Sequence, residues 1–500
     1  MELNQEMTRM SRICMPMCKR VVNTDVSEDI TLPDYYPEIR RVLCIRENML
    51  PPAKFISGSK VDVNGVVDYN LIYISGEGKL ASAPLSAEYS FSLPLENVSD
   101  FEISEGITVL AHSVAESSSV RVSAPRKLQV RSRIRSSVSV WGKMSCAESL
   151  EGIIDPSTIE RLSGETRCAD IVCESADVVS LETEQKLPSE NCRVALADAS
   201  VSVDDLKREG EIVRIDGEVI LKMLVVCEEE GIRESIVKKL PFEAEADLDG
   251  IDGEDESCLR VLVSVSEVDI TVEEGIAAIR IDIVPELCAI QNKSVNYVKD
   301  IYSLTQDSEQ QSIKYEMPVL LENKNFNFTQ SERVELSELN FPLGAEIVDL
   351  FGSAYIDGIV FEEGKYIMNG NSRYSVICFV DGEYSNCDIR LPFRYECDGE
   401  REIDCFDSFV SVDGCKVKVD GEHLDIDAEI FVSCSILGKE ETEMLSKVVF
   451  SEESESESGV WTVCYIGNGE DAWDIAKRYR IRQGDIKGDP SSDRYVMIEK

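Results

Sequence analysis

Two histidines, His112 and His423, are the whole imidazole complement of the 500-residue chain, and they stand in different alternating, β-like runs. A Ser–His–Asp or Cys–His device needs one of them beside a nucleophile and oriented by a third group. The chain has no G-x-S-x-G elbow, no phosphate-cradling G-x-x-x-x-G-K-[ST] loop and no Gly-rich dinucleotide turn. Cys14-Met-Pro-Met-Cys18 has no second ligand pair near it, and no C-x-x-C occurs, so zinc is not expected. In the acidic run ADLDGIDGEDES (246–257), Asp247, Asp249 and Asp252 miss the D-x-D-x-D-G spacing of a calcium loop and lack its closing Glu. That run reads as a solvated acidic loop. The expectation is a protein that is not an enzyme and uses no metal or cofactor.

Binding chemistry is better represented. Arg131, Arg133 and Arg135 recur every second residue, which on a strand places three guanidinium groups on one face beside Arg126 and Lys127. Such a stripe is a solvent face or a dock for an acidic surface, another part of the same chain included. At the carboxyl end, WTVCYIGNGEDAWDIAKRYRIRQGDI contains Trp461 and Trp473 with Lys477, Arg478 and Arg480. Trp473, at a helix start, suits the core of a small module. Trp461, opening a strand, suits an exposed anchor. The three cations offer charge to a partner. These five residues are the expected partner-binding set.

Fifty-one Lys and Arg face 95 Asp and Glu, a formal charge of −44. Phosphate backbones and anionic lipid are repelled by such a body, so nucleic acid and membrane surfaces are poor partners. The acid belongs to the body, because within residues 459–500 the charges balance. No apolar stretch approaches the ~20 residues of a membrane span, and the first twenty residues lack an export signal's apolar core. The 17 cysteines, odd in number, are scattered singly. That suits reduced thiols acting as small hydrophobes in a cytoplasm.

Most of the chain is an internal repeat. VDVNGVVDYNLIYISGEGKL (61–80), EIVRIDGEVILKMLVVCEEE (211–230) and KYIMNGNSRYSVICFVDGEY (365–384) align on Gly65, Gly217 and Gly370, about 150 residues apart. Pro33, Pro188 and Pro342 precede these glycines, and each copy closes on a long alternating strand: LQVRSRIRSSVSVWG, AAIRIDIVPELCAI and LDIDAEIFVSCSILG. Alternating, β-branched segments broken by Gly, Asp and Asn predict a mainly β chain of three antiparallel, sandwich-like repeats. The tail adds a strand, a helix striped by Ala472, Ile475, Ala476 and Tyr479, a short turn near Gln483–Ile486 and a strand over Tyr495–Ile498, a small α+β module. The expected order is a helical extension over 1–22, β repeats over 23–147, 167–296 and 297–448, a helical linker over 148–166, a Ser/Glu linker over 449–459 and the module over 460–500. SEESESESG (451–459) has no apolar residue and reads as a disordered tether that holds the module away from the body.

The tail resembles a LysM module, with Trp461, Val463, Gly469, Trp473, Ile475, Ala476 and Tyr479 at the matching places and Gly-Glu-Asp-Ala-Trp where Gly-Asp-Thr-Leu-Trp is usual. EDITLPDYYPEIRRVL and the strand pair up to FSLPLE resemble the SPOCS domain. SPOCS-like repeats followed by one LysM module resemble the SipL/SpoVID-type spore-coat morphogenetic proteins. The resemblance implies a cytoplasmic protein of the mother cell at the forespore surface. It further implies that the module recruits a SpoIVA-type coat-basement ATPase, and that the repeats contact other coat proteins or self-associate. The rival implication is binding of peptidoglycan or other N-acetylglucosamine glycans through the LysM loops.

Overall fold

The computed structural model describes residues 9–96, 106–227, 229, 231–248, 259–339, 341–342, 344–453, 461–467, 469–490 and 493–499. Strand makes up 80% of it and helix 4%, in several antiparallel sheets. Among the described residues no helix is long and apolar enough to cross a membrane.

The first repeat carries β1 (Arg9–Thr31), β2 (Ile39–Met49), β3 (Ala53–Ser57), β4 (Lys60–Ser75), β5 (Leu80–Pro94), β6 (Ile107–Ala124) and β7 (Lys127–Glu151). The second carries β8 (Ile159–Ser175), β9 (Val179–Lys186), β10 (Arg193–Glu209), β11 (Ile212–Cys227), β12 (Ile232–Asp247), β13 (Leu259–Glu273) and β14 (Ile276–Ser303). The third carries β15 (Gln306–Glu335), the one-turn helix α1 (Leu336–Leu339), β16 (Glu346–Glu362), β17 (Lys365–Val380), β18 (Glu383–Asp398), β19 (Cys405–Asp420) and β20 (His423–Glu453). Each repeat builds one sheet around its Gly-bearing strand, β4, β11 or β17, and a second around its last strand, β7, β14 or β20. Inward-facing residues of both sheets form the core. In the second repeat Val213, Ile215, Val219, Leu221 and Met223 of β11 meet Ala277, Ile279, Ile281 and Ile283 of β14. The predicted alternation on β7 holds, with Leu128, Val130 and Ile134 buried and Arg131 and Arg133 exposed.

Both anchors of the repeat have a physical cause. Each repeated glycine lies opposite an aromatic residue of the next strand: Gly65 opposite Tyr89, Gly217 opposite Phe242, Gly370 opposite Phe393. A Cβ on Gly65 would come 2.2 Å from the Tyr89 ring, one on Gly217 2.7 Å from Phe242, and one on Gly370 2.2 Å from Phe393. The ring occupies the space a side chain would take, so only glycine fits. Each repeated proline follows a buried apolar residue, Leu32, Leu187 or Phe341. Tight turns follow, with Tyr36 N donating to Pro33 O, Cys192 N to Ser189 O and Ala345 N to Pro342 O. There the chain leaves one sheet for the other.

The repeats are not beads on a string. Leu43, Ile72 and Ile74 of the first meet Leu196, Leu224 and Val226 of the second and Ile377 and Tyr384 of the third in a shared cluster. Cys14 and Trp141, Ile171 and Ile290, and Leu437 form another. β20 also pairs in parallel with β7 over Lys447–Val449 and Ser149–Glu151. Buried ion pairs cross the same junctions. Arg46 reaches Asp349 at 2.8 Å and Asp198 at 3.5 Å, while Lys222 reaches Asp349 at 2.5 Å.

Three expected elements differ. Residues 9–22 are strand, because β1 pairs with β7 along its length and that ladder overrides weak local preference. Pro16, which lacks an N–H, sits at a register shift in that ladder. The expected helical linker is strand at both ends with a single 3₁₀ turn over Pro156–Thr158, capped by the Asp155 side chain. Residues 449–453 of the expected tether continue β20, and the rest of SEESESESG lies outside the described residues, as do Asp249 and Asp252 of the acidic run.

Candidate functional site

The terminal module has β21 (Trp461–Tyr465), α2 (Ala472–Tyr479), β22 (Ile486–Lys487) and β23 (Tyr495–Glu499). Asp471 caps α2 by accepting from Asp474 N at 3.0 Å, and Asp474 returns the bond to Asp471 N at 3.2 Å, a reciprocal box that fixes the helix start. Arg480, at φ 53°, closes the other end in the left-handed conformation. Glu470 accepts from Gly467 N at 2.7 Å and pairs with Arg478 at 2.7 Å. The backbone bond and the guanidinium hold the Glu470 carboxyl below its ordinary value. Glu470 thus braces the loop to the helix.

Strand alternation divides the sheet into two faces. Cys464, Val496 and Ile498 point inward against Ile475 and Ala476 of α2. On the other face Trp461, Val463, Tyr465, Tyr495 and Met497 are 51, 64, 71, 63 and 43% exposed. Val463 lies opposite Met497 and Tyr465 opposite Tyr495, so the five side chains are neighbours. An uncovered apolar and aromatic cluster of this kind marks an interaction surface.

The helix side is already occupied. Trp473 is buried edge-to-face on Tyr302, with ring centroids 4.8 Å apart, and its Nε1 donates to Asp300 Oδ2 at 2.7 Å. Lys477 Nζ reaches both oxygens of the same carboxylate, at 2.6 and 2.8 Å. Arg480 pairs with Asp307, Arg482 Nε lies 3.4 Å from Glu160, and Tyr302 donates to Ile481 O at 2.7 Å. Burial pushes the Tyr302 hydroxyl up to about 12, with Glu160, Asp485 and Asp300 acting in the same direction, so it stays a donor. Burial would raise the Asp300 carboxyl as well. Hydrogen bonds from Lys477 and Trp473 outweigh it and hold Asp300 below the ordinary carboxylate value.

The module therefore packs on the body, where the sequence predicted a module held away from it. Of the five expected partner-binding residues, Trp473, Lys477 and Arg480 face the body's own acidic corner, Arg478 braces the first loop, and Trp461 lies on the open sheet face. The spacing of Trp461, Val463 and Tyr465 carried the signal for the rest of that face. Asp300, Tyr302 and Asp307 had none, since they meet α2 only through the fold.

The docking contact predicts a charge-swap result. Asp300→Lys places two ammonium groups together and frees the module, and adding Lys477→Asp restores part of the contact. In a Trp461→Phe background Trp141 stays buried, so Trp473 emission should shift to the red in the single variant and partly back in the double. Because the docked state lowers the Asp300 pKa, its contribution is complete above the ordinary carboxylate range, near 3.9, and is lost as pH falls through the lower docked-state value. Docking should thus persist from neutral pH to about pH 4.

The other sequence candidates are placed elsewhere. Arg133 and Arg135 pair with Glu116, at 3.3 and 3.5 Å, and Arg135 also donates to Asp357 O of the third repeat at 2.9 Å. His112 packs edge-to-face on Phe409, and burial lowers its pKa despite the opposing pull of Asp407. Cys14 and Cys18 belong to separate hydrophobic clusters. Among the described residues no group of three or more His, Cys, Asp and Glu could hold a metal ion. Comparisons with protein-family models, curated proteins and solved structures give no match to this chain.

Proposed function

We propose that the chain is a non-enzymatic scaffold of spore-coat morphogenesis that binds a SpoIVA-type coat-basement ATPase through the open sheet face of its terminal module. The observation that carries this reading is the exposed cluster Trp461, Val463, Tyr465, Tyr495 and Met497 on a module whose opposite side is fixed to the body. A rigidly held apolar face loses little conformational freedom on binding, which favours a protein partner. The resemblance to the SipL/SpoVID-type proteins supplies the identity of that partner and the setting, the mother-cell side of the forespore surface. Many copies on one surface turn weak single contacts into tight attachment, because each later contact is effectively intramolecular. The β body supplies contacts to further coat proteins and to other copies of the chain.

Trp461→Ala with Tyr465→Ala removes the aromatic anchors at the two ends of β21 on that face and leaves Cys464, Val496 and Ile498 under α2. The double variant should keep the parent's thermal unfolding and bind the purified ATPase at least about 30-fold more weakly, the loss of two hot-spot anchors. Unchanged affinity would overturn the reading. Sedimentation with insoluble peptidoglycan, if it retained the full chain and the double variant alike, would favour the glycan alternative.

A further inference from the structure

The fold brings together two cysteines that the sequence keeps apart. Cys173 of β8 and Cys288 of β14 stand directly opposite each other in the second repeat, and both are free thiols. Among the described residues no other two cysteines face each other across a ladder. An antiparallel ladder alternates between hydrogen-bonded and non-hydrogen-bonded pairs. Ala176 N donates to Pro285 O at 2.9 Å, which marks those two residues as a hydrogen-bonded pair. Three steps along an unbroken register, Cys173 and Cys288 fall at a non-hydrogen-bonded pair. There opposed Cα atoms lie about 4.5 Å apart, inside the ~4.4–6.8 Å that a disulfide spans.

The surroundings supply the rest of the chemistry. Cys173 Sγ donates to Glu286 Oε1 at 3.2 Å, and the same oxygen takes Lys54 Nζ of the first repeat at 2.7 Å. A carboxylate held by an ammonium group thus stands beside the sulfur as a proton acceptor. Cys173 keeps part of its surface in solvent, whereas Cys288 is buried with Trp141, Ile171, Ile290 and Leu437. The hydrogen bond with the Cys288 thiol, and then burial, push the Cys173 thiol above its ordinary value, so it rests protonated. A protonated thiol is a poor nucleophile, which makes the pair slow to oxidise. No step of the proposed scaffold function uses it.

We propose that Cys173 and Cys288 form a reversible disulfide that locks the second repeat when a hydroperoxide is present. Cys173 Sγ attacks one oxygen of hydrogen peroxide, and its proton passes through Glu286 to the leaving hydroxide. The products are the Cys173 sulfenic acid and water. Cys288 Sγ then attacks that sulfur, forming the S–S bond and releasing a second water that carries the Cys288 proton. The two thiols give up two electrons and two protons, and the peroxide is reduced to water. The bond joins the first and last strands of the repeat and closes a loop of more than a hundred residues. A crosslink over so long a loop takes much freedom from the unfolded chain.

Peptide mapping tests this. The full chain is held in hydrogen peroxide, unfolded in N-ethylmaleimide to block the remaining thiols, digested and read by mass spectrometry. Cys173 to Cys288 should be the first and most abundant crosslink, formed over hours at neutral pH and undone by dithiothreitol. The oxidised chain should unfold about 3 °C or more above the reduced one. In Cys288→Ser, Cys173 should stop at the sulfenic acid, trapped by dimedone, and the gain in melting temperature should vanish. Should that variant fail to fold, Cys173→Ser should leave the buried Cys288 unreacted and abolish the same gain. Unlinked Cys173 and Cys288 after the reaction, a different crosslink in greater yield, or a linked chain that melts no higher than the reduced one would overturn the proposal.

Discussion

Asp349→Ala should destabilise the body by about 3–5 kcal/mol, read as a lowered guanidinium midpoint at unchanged slope. The Asp349 side chain is 2% exposed and that of Arg46 8%. Arg46 also stacks on the Phe351 ring, 3.5 Å from its centroid, and cannot swing into solvent without leaving it. Removing the carboxylate leaves a guanidinium in a low-dielectric junction with only the half-exposed Asp198 beside it, at 3.5 Å. Lys222 loses a partner too, but at 30% exposure it can turn to water. Arg46→Met with Asp349→Leu should recover most of the loss, since neither charge then remains buried. A cost under about 1 kcal/mol for Asp349→Ala would mean that water reaches the pair.

Gly370→Ala should produce the second large effect, at or above the top of the ~1–3 kcal/mol range for overpacking. The added Cβ lies 2.2 Å from the Phe393 ring and 2.5 Å from Tyr355 O, and a ladder carbonyl cannot retreat without breaking its strand pairing. The contrast with Gly65 sharpens the test. There the three nearest atoms all belong to the Tyr89 side chain. Tyr89→Ala should therefore relieve Gly65→Ala in part, whereas Phe393→Ala should not relieve Gly370→Ala, because the carbonyl remains. Equal rescue at both sites, measured by thermal unfolding, would contradict this account of the glycines.

These two residues also show how far the sequence could be read. Gly370 was legible as a repeat anchor, because three glycines about 150 residues apart stand out against varied neighbours. Its cause was also present in the sequence, as Tyr89, Phe242 and Phe393 fall a similar distance after their glycines, but it needs the strand register to be seen. Asp349 was illegible. In a chain with 95 acidic residues, nothing local separates the one carboxylate that closes a three-repeat junction from those that face water. The strand character of residues 9–22 was hidden for a related reason, since its evidence is the β7 partner more than a hundred residues away.

The tail divides in the same way. Its strand–helix–turn–strand order and inward helix stripe follow from local periodicity, and Ile475 and Ala476 are buried as that stripe implies. Strand alternation around Trp461 held the information for the open face. The docking of α2 depends on Asp300 and Tyr302, at the far end of β14, and on Asp307 at the start of β15, none of which is distinguishable by type or spacing. An acidic Ser/Glu segment argues for separation, yet a single carboxylate taking Lys477 and the Trp473 indole together outweighs that tendency.

Hydrogen–deuterium exchange of the full chain, with and without the purified SpoIVA-type ATPase, tests the central claim most directly. Slowed exchange confined to residues 461–465 and 495–499, with 300–307 and 472–479 unchanged, is the predicted result. Slowed exchange on α2, or release of 300–307 when the ATPase is added, would contradict it, because the partner would then be taking the helix face from the body.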